Sequence, residues 1–142
     1  MEFMGIHLHP AVVHFPIAIF TTALLFEAAA WITKKTIFHQ TASCLYIFAV
    51  IVTPLVVWTG LREAQQENIH HPVLDTHQRF AYLTMWTSLA SLPILWLFKK
   101  KIPQYFGIVF LIALVMIVAS VSLAAYNGGR LVYEYGVGVE SR

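Results

Sequence analysis

Four long apolar segments account for most of this 142-residue chain and limit the folds that it can adopt. They lie at about residues 10–32, 37–60, 77–98 and 103–126, and each has roughly the 20 residues that a helix needs to cross a bilayer. Charged residues make up only 11% of the chain, against about 25% in a soluble domain. The sequence therefore predicts an all-α, integral membrane protein, a single-domain, up-down-up-down four-helix bundle.

All five lysines fall in two patches between apolar segments, Lys34-Lys35 and Lys99 to Lys101. By the positive-inside rule, both patches face the cytoplasm of a bacterial inner membrane. Both termini and the loop of residues 61–76 are then periplasmic, and residues 127–142 are expected to form a periplasmic cap. The sequence has no basic stripe with interleaved aromatic residues, so we expect lipid and not nucleic acid as its surroundings.

Six of the seven histidines collect at the predicted periplasmic end. They are His7, His9, His14, His70, His71 and His77. An ionisable residue at the edge of a membrane helix is costly, so it indicates a functional site. His39 alone lies at the lysine end and is expected to be an interfacial residue. Glu27, the only acid within a span, is expected to snorkel or to pair with Lys34.

His14 and His77 are predicted to face each other across the bundle. They precede Lys34 and Lys99 by 20 and 22 residues. At about 1.5 Å per residue, both histidines are therefore about 30 Å from the lysine end. The first and third spans are diagonal in such a bundle, with axes about 12–14 Å apart. This gap has room for a flat macrocycle with iron between two imidazoles.

His9 and His71, or His70 in place of His71, lie further out and are candidates for a second pair. His9 and His14 are five residues apart, about 140° around a helix, so two sites are favoured over one. Imidazole alone does not select iron over zinc or copper. Three arginines at the same end could bind haem propionates or act as interfacial anchors: Arg62, Arg79 and Arg130.

Local signals refine the helix boundaries. Pro16 predicts a bend near the start of the first span, and Asp75 or Thr76 is the expected N-cap of the third span. Asn127-Gly128-Gly129 predicts the end of the fourth span. Cys44, the single cysteine, is expected to be buried, and no internal repeat is evident in the sequence.

The chain resembles the DUF2231 family of small predicted membrane proteins. The resemblance rests on HPAVVHFPIAI at the start, Thr59-Gly60, His77 and the final GGRLVYEYGVGV, and it covers essentially the whole chain. It implies a four-span protein with recurring histidines at one membrane face, as in haem-binding cytochromes. His9, His14 and His77 match the family's histidines. Tyr135 stands where the family motif has a histidine, so either this position is not a required ligand or this chain has one ligand fewer, with His70 or His71 as the substitute.

These observations favour a membrane-bound b-type cytochrome with one or two haems b. Two axial histidines leave no open iron position, so the expected activity is electron transfer and not oxygen binding. The redox partner would be a quinone, a periplasmic carrier, oxygen or ferric iron, which leaves open whether the protein is an enzyme. The alternative is a protein that binds or transports a divalent metal, and this would require a homo-oligomer to surround a path. A third hypothesis is a non-catalytic assembly subunit.

Overall fold

The computed structural model describes residues 2–3, 6–66 and 70–137, and nearly all of them are helical. Its helices are α1 (Leu8–Val12), α2 (His14–Thr33), α3 (Thr36–Gln66), α4 (Pro72–Lys101) and α5 (Pro103–Tyr133). Two short antiparallel strands, β1 (Glu2–Phe3) and β2 (Ile6–His7), precede α1. The prediction of an all-α fold is confirmed.

Four helical segments are long and apolar enough to cross a membrane. Residues 9–33, in α1 and α2, form the first segment, and α3, α4 and α5 form the others. Helix α2 packs on α3 and α5, and α4 packs on the same two helices, so α2 and α4 occupy opposite corners. This is the predicted up-down-up-down bundle. We call its two ends the lysine end, which carries Lys34 and Lys99, and the histidine end, which carries His9 and His77.

The first span is interrupted at Val13, between α1 and α2. Pro16 is the cause, because its ring crowds the carbonyl of the residue four positions earlier and it has no N–H to donate to that carbonyl. Val13 itself keeps right-handed helical dihedrals, with φ −61° and ψ −26°, so the bend stays a prediction. At the other end of α2, Lys34 takes a left-handed conformation with φ 58° and donates its N–H to the Ala30 carbonyl at 2.9 Å.

The third span begins earlier than expected, so Asp75 and Thr76 are not its N-cap. Helix α4 starts at Pro72, and the His71 side chain is the cap, with Nδ1 accepting the Val73 N–H at 3.1 Å. Proline suits the first helical position because the N–H that it lacks would have no partner there. Upstream, α3 continues past the predicted span to Gln66, and residues 67–69 lie outside the described residues.

The predicted end of the fourth span at Asn127-Gly128-Gly129 is wrong. Helix α5 runs through all three residues to Tyr133. The Asn127 side chain is buried and donates to the Leu123 carbonyl at 2.8 Å, which keeps it within the helix. The predicted cap of residues 127–142 is therefore helical at its start, and residues 138–142 lie outside the described part of the chain.

The bundle is apolar outside and partly polar inside, as expected of a chain whose solvent is lipid. Large apolar side chains such as Leu25, Trp86 and Ile32 are mostly exposed, whereas Ser88 and Thr84 are fully buried. Cys44 also lies exposed on α3, so the expectation that it is buried is wrong.

Buried hydroxyl groups join the helices across the interior. The Tyr46 hydroxyl donates to the Ser88 carbonyl at 3.2 Å and lies 2.5 Å from Ser91 Oγ, which links α3 to α4. Thr84 and Ser120 make a similar contact between α4 and α5 at 2.9 Å. Without water in the membrane interior, the contacts of Tyr46 pair a hydroxyl that would otherwise lack a partner, whereas Thr84 and Ser120 each also donate to a carbonyl of their own helix.

Removing the Tyr46 hydroxyl is expected to weaken the bundle. Tyr46→Phe should lower the free energy of unfolding by about 0.6–1.7 kcal/mol, the range found for hydrogen bonds between membrane helices. The measurement is unfolding in bicelles, with Tyr105→Phe as the matched control because Tyr105 is exposed. Equal losses in both variants would show that the link between α3 and α4 is unimportant.

Candidate functional site

His9 and His77 lie at the histidine end on opposite corners of the bundle, His9 in α1 and His77 in the second turn of α4. Both side chains are half-buried and line one cavity of about 870 Å³. Its walls are mostly apolar, and its volume is within the range of about 300–1,000 Å³ that is typical of small-molecule sites. The ring centroids of the two histidines are 6.2 Å apart, with their planes at 78°.

A backbone carbonyl of the neighbouring helix holds each ring. His9 Nδ1 lies 3.2 Å from the Val56 carbonyl oxygen of α3, and His77 Nδ1 lies 2.8 Å from the Ala124 carbonyl oxygen of α5. A carbonyl oxygen can only accept, so Nδ1 carries the proton in both rings. Each neutral ring therefore has its lone pair on Nε2, the atom that is left to bind a metal.

Two polar neighbours reinforce the position of His9. Thr59 Oγ1 lies 3.2 Å from His9 Nδ1 and donates its own proton to the Val56 carbonyl at 2.7 Å. The His9 backbone N–H donates to the Glu63 carboxylate at 3.2 Å, which ties the start of the first span to α3. The sequence analysis missed Glu63, although it is an acid within the helical extension beyond the second span.

Glycines make room for both rings. A Cβ at Gly60 would lie 2.7 Å from His9 Cε1, and one at Gly128 would lie 3.2 Å from His77 Cε1. Each glycine follows by four residues the carbonyl that holds the ring. The reason is geometric, since a helical carbonyl points toward residue i+4, so an outside donor approaches it over that residue. Sequence reasoning treated Gly128 as a helix stop and assigned no role to Gly60 in the site.

The structure brings His77 to His9, whereas the sequence paired it with His14. His14 is the first residue of α2, and its exposed side chain lines the same cavity. His71 does not join His9: its ring packs on Tyr135 with centroids 4.1 Å apart, and its Nδ1 accepts the Val73 N–H. His70 is exposed.

The three predicted arginine partners lie outside the cavity, whose described lining contains no arginine. Arg62 lies over the Trp58 ring at 5.3 Å, and Arg79 is exposed. Arg130 donates to Glu134 at 2.9 Å and to the Tyr135 hydroxyl at 3.3 Å. Cations over aromatic rings at a span end are typical of anchors in the headgroup region.

A dedicated multi-ligand metal site is absent from the described residues. No group of three or more His, Cys, Asp or Glu side chains among them is close enough to hold one ion. The chemistry of the cavity thus depends on the carbonyl-bound imidazoles of His9 and His77, the exposed imidazole of His14, one carboxylate that accepts a backbone N–H, and a largely apolar wall.

A second polar cluster lies at the lysine end, and the expectation that Glu27 snorkels or pairs with Lys34 is wrong. Glu27 is fully buried and pairs with His39 and not Lys34: Oε2 lies 2.7 Å from His39 Nδ1, and Oε1 accepts the Trp31 indole N–H at 3.2 Å. His39 is thus the partner of a buried carboxylate and not only an interfacial residue. The Lys34 ammonium instead lies over the Trp31 ring at 5.4 Å.

Comparison with known proteins adds the membrane location and no activity. The chain matches, over residues 5–141, a family model described as "Predicted membrane protein (DUF2231)". Neither a curated protein nor a solved structure matches it.

The packing of His9 on Gly60 predicts a graded response to alanine. Gly60→Ala should lower the free energy of unfolding by about 1–3 kcal/mol, because its Cβ would force the ring to move. Gly128→Ala should cost less, since its Cβ would meet His77 at 3.2 Å. The matched control is Gly129→Ala, where a Cβ meets open space and alanine favours the helix by about 0.5–1 kcal/mol. Thermal unfolding in detergent measures all three, and a loss in Gly129→Ala as large as in Gly60→Ala would refute this explanation.

The pair of Glu27 and His39 predicts strong coupling between two substitutions. His39→Leu should cost about 1–3 kcal/mol, because it leaves one oxygen of the buried Glu27 side chain without its hydrogen-bond partner. Adding Glu27→Leu should restore most of that loss, since an apolar pair can replace a buried polar one. Unfolding of both single variants and the double variant gives the coupling free energy, and additive losses would contradict a direct pairing.

Proposed function

The chain belongs to the DUF2231 family of predicted membrane proteins, and we propose that it is a b-type cytochrome with one haem between His9 and His77. The observation that carries this proposal is the arrangement of the two imidazoles. Each has Nδ1 bonded to a carbonyl and Nε2 free, and they come from opposite corners of the bundle into one cavity.

The distance between the rings fits a shared metal. A metal bound at about 2.0–2.1 Å from each of two Nε2 atoms on opposite sides puts the ring centroids on the order of 6 Å apart. The observed distance is 6.2 Å. The carbonyls of Val56 and Ala124 would fix the tautomer and orientation of the ligands and increase their basicity, as outer partners do in other metal sites.

The cavity also suits a large apolar cofactor. Its volume is about 870 Å³, and Gly60 and Gly128 keep both imidazoles close to the helix backbones. Bound haem supplies one-electron chemistry, and the protein determines its potential through the ligands, the outer hydrogen bonds and burial. The apolar wall would exclude water, while Glu63 adds one negative charge near His9.

The residues favour one haem over two. His71 uses Nδ1 to cap α4, so its Nε2 carries the proton and has no lone pair for iron. Tyr135 packs on His71, and its hydroxyl accepts from Arg130. The proposal is therefore one haem with His9 and His77 as its ligands.

Charge suggests the orientation and the partners. With Lys34 and Lys99 facing the cytoplasm of an inner membrane, the histidine end and both termini would be periplasmic. Two histidines on iron leave no position for oxygen, so electrons would pass to or from a quinone or a periplasmic carrier.

A divalent-metal protein is the second candidate, and one observation favours it. The Glu63 carboxylate lines the same cavity as His9, His14 and His77, which gives oxygen and nitrogen donors that suit zinc or copper. No three of these side chains are close enough to form a metal site together, so this candidate requires a rearrangement.

Absorption spectra of the purified protein test the proposal. The protein in detergent should be red and should give sharp bands after dithionite, with one haem per chain. His9→Ala and His77→Ala should each lose the six-coordinate spectrum, because each removes one axial ligand.

His14→Ala separates the structural pairing from the one expected from sequence. It should keep the six-coordinate spectrum. If His14→Ala loses it while His9→Ala keeps it, the ligand pair is His14 with His77. A colourless protein that carries zinc or copper would overturn the cytochrome proposal in favour of the second candidate.

A further inference from the structure

The contacts of His9 and His77 recur at a constant spacing. Each imidazole bonds to a carbonyl 47 residues further along the chain, Val56 for His9 and Ala124 for His77. Each carbonyl is followed four residues later by the glycine under the ring. Every residue of the second set therefore lies 68 positions after its counterpart in the first.

The buried positions recur at the same spacing. We call α1 to α3 the first hairpin and α4 with α5 the second hairpin. All four buried positions of α2 have a buried counterpart in α4 68 residues later, and six of the seven in α3 have one in α5. Most residue types differ, as in Phe20 and Ser88, which is why no repeat is evident in the sequence.

The ends of the hairpins repeat as well. Arg62 lies over Trp58 at 5.3 Å, and its counterpart Arg130 lies over Tyr126 at 5.9 Å. Helices α3 and α5 are both 31 residues long. Twelve of the fourteen first-hairpin residues that line the cavity have a counterpart that also lines it. The cavity is therefore shared nearly equally by the two hairpins.

We propose that the two hairpins are copies of one ancestral unit and that the cavity ligand sits on the pseudo-twofold axis between them. The first and third spans run in the same direction, so this axis is parallel to the helices and to the membrane normal, as in other parallel membrane repeats. His9 and His77 exchange places by a half-turn about the axis. A single metal ion bound to both lies on the axis itself.

This arrangement determines how a flat ligand would stand, and here the inference rests on the proposed haem site. The line between the two Nε2 atoms crosses the axis at a right angle. A macrocycle bound through its metal on that line is perpendicular to it, so its plane contains the axis. The ligand class is thus a metallated tetrapyrrole that stands upright in the membrane, with one face toward each hairpin.

Equivalent hairpins also indicate which polar groups are particular to one copy. The counterparts of His14 and Glu63 are Tyr82 and Leu131, so only the first hairpin adds a second imidazole and a carboxylate to the cavity. These two groups are therefore not part of the repeated unit. In each hairpin that unit consists of one histidine, the carbonyl that accepts its N–H and the glycine beneath its ring.

Electron paramagnetic resonance of the full chain in oriented membrane multilayers measures the angle of the haem. The haem normal should lie in the membrane plane, and His9→Ala and His77→Ala should give matching five-coordinate spectra with haem contents within twofold of each other. A haem plane parallel to the membrane would overturn the axial proposal and leave the cytochrome intact. A loss of coordination in only one variant would overturn the axial proposal together with the His9–His77 ligand pair.

A second probe keeps the inference testable if the protein binds no haem. Cu²⁺ alone would then be added to the wild type and to both single variants. A copper signal that His9→Ala and His77→Ala both abolish would support the shared axial site while the cytochrome proposal fails. Copper binding that survives in either variant, or no binding at all, would overturn the axial site together with the cytochrome.

Discussion

Two hydrogen bonds from imidazole Nδ1 atoms to backbone carbonyls determine the arrangement at the histidine end. Each bond uses a carbonyl that already accepts a helical N–H, so it keeps both helices intact while it fixes a ring between them. It also sets the tautomer, which leaves the lone pair of each neutral ring on Nε2. Because the donor approaches over residue i+4, the bond requires glycine there, and Gly60 and Gly128 meet that requirement. The same hydrogen bond therefore explains both the lone pair on Nε2 and the close approach of each imidazole to a helix backbone.

The membrane makes such bonds necessary. A polar side chain buried in a membrane cannot form a hydrogen bond with water. In the described residues, every fully buried side-chain nitrogen or oxygen has a hydrogen-bond partner in the protein. Glu27 shows the same rule at the lysine end, where His39 and Trp31 satisfy both carboxylate oxygens. Its counterpart in the second hairpin is Leu95, a buried apolar residue, so the bundle can pack without a carboxylate at this position. The pair is therefore a property of this half and not a requirement of the fold.

Hydropathy and lysine placement predicted the spans and the bundle, because both depend on composition and not on side-chain direction. They also gathered the histidines correctly at one end. The predicted pairing of His14 with His77 depended only on their depth along the bundle axis, and depth does not determine which way a side chain points. In the structure, His9 contacts α3 and His77, whereas the side chain of His14 is exposed. Contacts between helices could not be predicted from the sequence either. Glu27 lies one heptad from Lys34 on the same helix, yet its partner is His39 on the next helix.

The constant spacing between the two hairpins has a consequence for how such a protein could have begun. One hairpin contains a histidine, the carbonyl that orients it and the glycine that makes room for it, which is half of the proposed two-histidine site. A chain of half this length would complete the site by forming a parallel homodimer in the bilayer. After fusion of two such genes, each half could change separately. Glu27 and Glu63 of the first half, whose counterparts in the second half are leucines, would be results of that divergence.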